Sequence, residues 1–145
     1  MNRGYTLIEL LVTGLLVALL TAIALPSYRQ VVLRAQRSDA RLALLRIQAQ
    51  QERHYLQFQR YSQDLDANPA TGGLGVGRRS EAGHYALSLE LTGNGQGFRA
   101  VARPAPGDAQ QSDRECTSLS IDESGRRLAE SAASRTPPQP ERCWS

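Results

Sequence analysis

The stretch RGYTLIELLVTGLLVALLTAIALPSY (residues 3–28) places one glutamate, Glu9, at the front of an otherwise apolar run. Between Gly4 and Tyr28 the only other ionisable side chains are the phenols of Tyr5 and Tyr28. Leu10 to Tyr28 carries no charge, and as a helix it covers about 28 Å, close to one hydrocarbon thickness. A carboxylate drawn to the centre of that layer costs about 2.5 kcal/mol or more. Glu9 therefore needs a partner of opposite charge.

At 145 residues the chain has room for one domain, or one domain plus an anchor. Its net charge is +3, and all 17 basic residues are arginine, which adds a little weight to phosphate binding. Arg29, Arg34, Arg37, Arg41, Arg46, Arg53 and Arg60 face only Asp39 and Glu52 within residues 29–60, so the basic excess belongs to that segment. The two cysteines, Cys116 and Cys143, stand 27 positions apart with no CxxC and no neighbouring histidine pair. A disulfide is the better reading than two free thiols. It would close a Pro- and Ser-rich tail, contribute about 3–4 kcal/mol in the chain-entropy model, and place this part outside the cytoplasm.

A secretory signal carries a basic start, an apolar run and a small-x-small cleavage site. Here Met1-Asn2-Arg3 is the whole basic part, and LPSYRQVVLRAQ follows the run without such a site. The apolar segment is therefore expected to be retained. GYTLIE (Gly4 to Glu9), followed by an apolar helix and Pro26, resembles the N-terminus of type IV pilins and related pseudopilins. The resemblance implies that a prepilin peptidase cuts between Gly4 and Tyr5 and methylates the new amine of Tyr5, where the family usually has phenylalanine. Residues 1–4 are then a leader and 5–28 a transmembrane and filament-core helix. It also implies that Glu9 pairs with the N-terminal amine of a neighbouring subunit. Two charges in a low-dielectric core are costly apart and far less so together, so the pair would fix the axial register.

Pro26 is expected to kink or loosen the helix, because it lacks an N–H and clashes with the preceding turn. Residues 29–58 continue it, since Val31 to Phe58 lacks glycine and proline. At 100° per residue, two apolar stripes emerge. Leu42, Leu45, Ala49 and Leu56 share one side; Ala40, Leu44, Ile47, Tyr55 and Phe58 share the other. A surface helix needs one stripe; two predict a sheet on one face and other subunits on the opposite one, with a helix central to its own domain as the alternative.

Residues 59–145 read as a loop, an antiparallel sheet and a disulfide-closed tail. GGLGVGRR (residues 72–79) has glycines at phosphate-loop spacing, but Arg78 and Arg79 stand where lysine and Ser or Thr are required, and no strand precedes it; it reads as a surface loop. HYALSLEL (84–91) and GFRAVARP (97–104) alternate around a TGNGQ turn and predict a hairpin. TSLSIDE (117–123) predicts a third strand, with a further one after the SGRR turn. PAPGDAQQSD (104–113) and SAASRTPPQPE (131–141) read as loops. The whole is an α+β pattern resembling the type IV pilin fold. The ERCWS ending and the QERHYLQFQRYSQDL run look like the minor pilins of the PilE and ComP type.

No HExxH, GxSxG or carboxylate cluster is present, so no enzyme, metal site or cofactor is expected. His54 and His84 read as isolated, His54 as solvated surface. The leading function is a structural one: a minor pilin of a type IV pilus serving adhesion, twitching motility or DNA uptake. Its partners would be other pilins, the prepilin peptidase and the pilus assembly platform. It would sit in the bacterial inner membrane with a periplasmic domain, then in the extracellular pilus. The arginines at 29, 34, 37 and 41 contradict the positive-inside rule for that topology, but the cysteine pair and the leader favour it. One alternative is a DNA receptor using Arg78, Arg79, Arg99, Arg103, Arg126 and Arg127 for phosphate contacts; another is a type II secretion pseudopilin.

Overall fold

In the computed structural model, residues 6–132 and 140–145 are described; Gly4, Tyr5 and part of the 131–141 stretch lie outside them. Helix α1 spans Leu7–Phe58. Strands β1 (Tyr85–Thr92), β2 (Gly97–Pro104), β3 (Ser118–Asp122) and β4 (Arg127–Glu130) follow, and helix α2 covers Pro140–Trp144. The chain divides into two compact units, Met1–Leu33 and Arg34–Ser145.

Within the first unit, the described part of α1 is exposed and apolar enough to cross a membrane. The helix continues through Pro26, which cannot donate to the Ala22 carbonyl. Thr13 and Thr21 return their hydroxyls to carbonyls of the preceding turn, which removes those donors from an apolar surface.

The second unit is built on the expected antiparallel sheet. Its sheet has the order β1-β2-β3-β4, antiparallel throughout. Tyr85, Leu87, Phe98, Ala100, Ala102, Leu119 and Ile121 point inward and pack with Ala40, Ala43, Leu44 and Ile47 of α1. The β1–β2 connection takes Gly93, Asn94 and Gly95 through left-handed backbone, which explains the GNG sequence. The loop at 72–79 is not wholly on the surface: Leu74 is a core residue, and a side chain on Gly73 would run into the Ala67 carbonyl.

Two stripes on α1 are present, with one correction. Leu42, Leu45, Ala49 and Leu56 are exposed. On the opposite side the buried register is Arg37, Ala40, Leu44, Ile47, Gln51 and His54, so Phe58 is exposed and Tyr55 only half-buried. Polar side chains replace the aromatics because the next loop satisfies them. Gln51 Nε2 donates to the Ser62 carbonyl at 2.7 Å, and Ser62 N donates back to Gln51 Oε1 at 2.8 Å. His54 is therefore not solvated: it is 8% exposed, with Nδ1 2.8 Å from the Arg60 carbonyl. His84 is not isolated either, since its Nδ1 lies 3.0 Å from Asp108 Oδ2.

Cys116 and Cys143 form the expected disulfide, and both are fully buried. Beside them Arg37 enters the interior. Its Nε and Nη2 donate to the two carboxylate oxygens of Asp113 at 2.7 and 2.9 Å, and Nη2 also donates to Glu115 Oε2 at 2.8 Å. Burial alone would lower the Arg37 pKa, but the hydrogen bonds and charges of Asp113 and Glu115 raise it. Asp113 Oδ1 accepts from the N–H groups of Glu115 and Cys116, which sets the entry into the disulfide.

Removing one member of such a cluster leaves an uncompensated buried charge. Arg37→Met should lower the unfolding free energy by about 3–5 kcal/mol in urea titration, and Asp113→Leu added to it should restore part of the loss. Asp122 gives a pH signature. Burial pushes its carboxyl up, but bonds from Ser124 and Arg126 outweigh this and hold it below the ordinary range. Its contribution is then present above about pH 4 and lost as pH falls through the folded value. Thermal melts of Asp122→Asn should lie below wild type at pH 7 and converge with it in acid.

Candidate functional site

Strand alternation and register decide which arginines share a surface. Inward positions of β1 and β2 are taken by the core, so Ala86, Ser88 and Glu90 face outward, paired with Arg103, Val101 and Arg99. Arg99 also pairs with Asp122 of β3. Ahead of β1, Arg79 bridges to Ala86, so Arg79, Ala86 and Arg103 form one row across the sheet. Two strand spacings separate the arginines, about 10 Å.

The six expected arginines thus do not act as one patch. Arg79 and Arg103 flank an alanine and are exposed. Arg99 is exposed but stands between Glu90 and Asp122 in its row. None of these three is in an ion pair among the described residues. Arg78 pairs with Asp66, and Arg126 with Asp122 at 2.9 Å. The Arg127 guanidinium lies over the Trp144 ring, 5.3 Å from its centroid.

Near the row, Asp108 is held below the usual carboxylate range, first by the Gln110 N–H and then by His84, with the charge of Arg79 adding to both. Neutral His84 would donate from Nδ1 to this carboxylate. Sequence reading missed this group because His84 and Asp108 are 24 positions apart and meet only through the fold. The PGD turn (Pro106 to Asp108) before a Gln-rich step was the available signal, since Asp108 caps the 3₁₀ turn Ala109–Ser112.

In the other unit, Glu9 lies in the first turn of α1 and is exposed. Thr6 Oγ1 accepts from Glu9 N at 3.3 Å, half of a Thr-x-x-Glu capping box. The carboxylate also sits at the positive end of the helix dipole. Among the described residues no cluster of His, Cys, Asp and Glu is suited to a metal ion.

The family described as "Type IV minor pilin ComP, DNA uptake sequence receptor" matches residues 26–120. A type IV pilin from Shewanella oneidensis is 28% identical, over 78% of this chain and 98% of its own, with a TM-score of 0.49. The non-core minor pilin PilV of Neisseria meningitidis is 18% identical, over 73% of this chain and 94% of its own, with a TM-score of 0.54; that likeness is one of fold. No curated protein matches the chain closely enough to count as a relative. The family match covers about two thirds of the sequence and includes all of β1 and β2. The chain belongs to the type IV minor pilin ComP family and is a pilus subunit that assembles with other pilins.

Proposed function

We propose that this minor pilin binds duplex DNA at the pilus through the Arg79–Ala86–Arg103 row, with Arg99 as a weaker contributor. The observation that carries the reading is the row itself: two exposed guanidiniums on one rigid sheet face, spaced by an alanine. The description of its family as a DNA uptake sequence receptor supports it. Arg78 and Arg126 are assigned no phosphate, because each already has a carboxylate. Adhesion and twitching motility have no comparable feature behind them, and no catalytic role is assigned.

Assembly follows the pilin logic. Residues 1–4 are a leader, and the prepilin peptidase cuts between Gly4 and Tyr5 and methylates Tyr5. Residues 5–28 anchor the subunit in the inner membrane, with the Arg34–Ser145 unit in the periplasm, until the assembly platform extracts it. Pro26 is the point where the helix gives as it packs. Leu42, Leu45 and Leu56, at 68%, 39% and 77% exposure, are the face given to neighbouring subunits; burying each fully would stabilise the filament by about 1.5–3 kcal/mol.

Duplex binding should weaken with salt, with a slope of about 0.9 per phosphate contact. Arg79→Ala with Arg103→Ala should flatten the slope of log K against log salt by about 2, while Arg126→Ala leaves it unchanged. An unchanged slope in the double variant rejects the row. For Glu9, substitution by Gln should leave membrane insertion and cleavage after Gly4 intact. Incorporation into sheared filaments should fall well below wild type, because a neighbour's amine is left unpaired at a cost of about 3–5 kcal/mol. Wild-type incorporation would sink the pairing.

A further inference from the structure

At the C-terminal end of α1 lies a cleft of about 630 Å³, walled by that end, the loop after it and the β1–β2 turn. Its residues include His54, Phe58, Tyr61, Asp64, Gly72 and Asn94. We propose that this cleft binds a neutral pyranose, the sugar ring of a glycan. The site is separate from the arginine row and does not rest on the DNA reading.

The hydrogen-bonding character of the cleft selects the ligand. The Arg60 carbonyl can only accept, so in its neutral form the His54 ring carries the proton on Nδ1. Nε2 is then a lone-pair acceptor on a residue that is only 8% exposed, facing Gly72. Gly72 adopts φ +91°, and a Cβ there would stand 4.0 Å from Nε2, so glycine keeps that atom approachable. Asp64 spends Oδ1 on the N–H groups of Asp66 and Ala67, at 2.9 and 3.1 Å. Those bonds, from Ala67 first and then Asp66, hold its carboxyl below the ordinary range, so it stays an ionised acceptor with Oδ2 available. The inner polar groups therefore ask for donors.

One wall is aromatic. Phe58 stacks on His54 with centroids 4.4 Å apart and keeps 45% exposure. Tyr61 is already engaged by Tyr55 and by the edge of Phe98, both at 4.8 Å, which leaves Phe58 as the platform. A pyranose matches both demands: its hydroxyls donate, and its C–H face stacks on a ring. A nucleotide would also stack, and its phosphate would meet Arg60 on the cleft wall, but a phosphate brings no donor to the inner acceptors His54 and Asp64.

The test is saturation-transfer NMR on the full chain in dodecylphosphocholine, a detergent without a sugar headgroup. The probes are methyl glucoside, methyl galactoside, methyl mannoside and N-acetylglucosamine, with dAMP as the nucleotide arm. At least one sugar should receive saturation, strongest on the C–H face that meets Phe58. Phe58→Ala, a change at an exposed position, should raise the dissociation constant roughly 3- to 10-fold. Asp64→Asn should weaken binding, and Arg103→Glu should leave it unchanged. The proposal is overturned if no sugar is saturated, if dAMP alone is, or if sugar binding survives both Phe58→Ala and Asp64→Asn.

Discussion

A guanidinium taken out of water costs several kcal/mol unless carboxylates meet it, and α1 takes Arg37 out of water at the level of the disulfide loop. The side chains of Arg37 and Asp113 are 5% and 3% exposed. The segments that carry both cysteines are tied to this contact. Asp113 orients Cys116 through its backbone N–H, while Arg37 Nη1 donates to the Arg142 carbonyl at 3.2 Å beside Cys143. One turn further along, Arg41 Nη1 donates to the Trp144 carbonyl at 2.9 Å. The helix thus holds both ends of the disulfide loop by charge, where the sheet holds them by apolar packing. A hydrophobic contact would tolerate sliding; a forked hydrogen-bond pair does not.

Much of this architecture was legible in the sequence. Period-two alternation marked β1 and β2, glycine and asparagine marked their turn, and the uncharged apolar run marked the first half of α1. The second stripe on α1 was legible as well. What escaped were buried polar residues. Arg37, Gln51 and His54 continue the same three-four spacing as Ala40, Leu44 and Ile47, so their register was visible, but their polarity argued for solvent. Each is buried because a partner far along the chain, or in the next loop, satisfies it. No local pattern reports such a partner.

The arginine row was half legible for a related reason. Composition shows which arginines exist, and alternation shows that Arg99 and Arg103 share a face. Only pairing shows that Arg79 joins Arg103 across Ala86 while Arg99 meets Glu90 and Asp122. Neighbouring acids lower the local potential and raise the cost of drawing a phosphate near. Arg79 and Arg103 have no acid in register with them, although Asp108 lies near Arg79; a flexible coil with the same residues would not hold the two arginines in one row.

Both sulfurs of the Cys116–Cys143 bridge are fully buried. Thiol–disulfide exchange needs a thiolate to reach a sulfur atom, so attack must wait until the segment around Cys143 lifts away from α1. Cleavage of the bond is then paced by that opening whenever reductant is plentiful, and the Arg37 and Arg41 contacts to the carbonyls of 142 and 144 oppose it together with the Trp144 bond to the Leu128 carbonyl. The covalent lock is thus as durable as the non-covalent contacts that keep this segment closed over it.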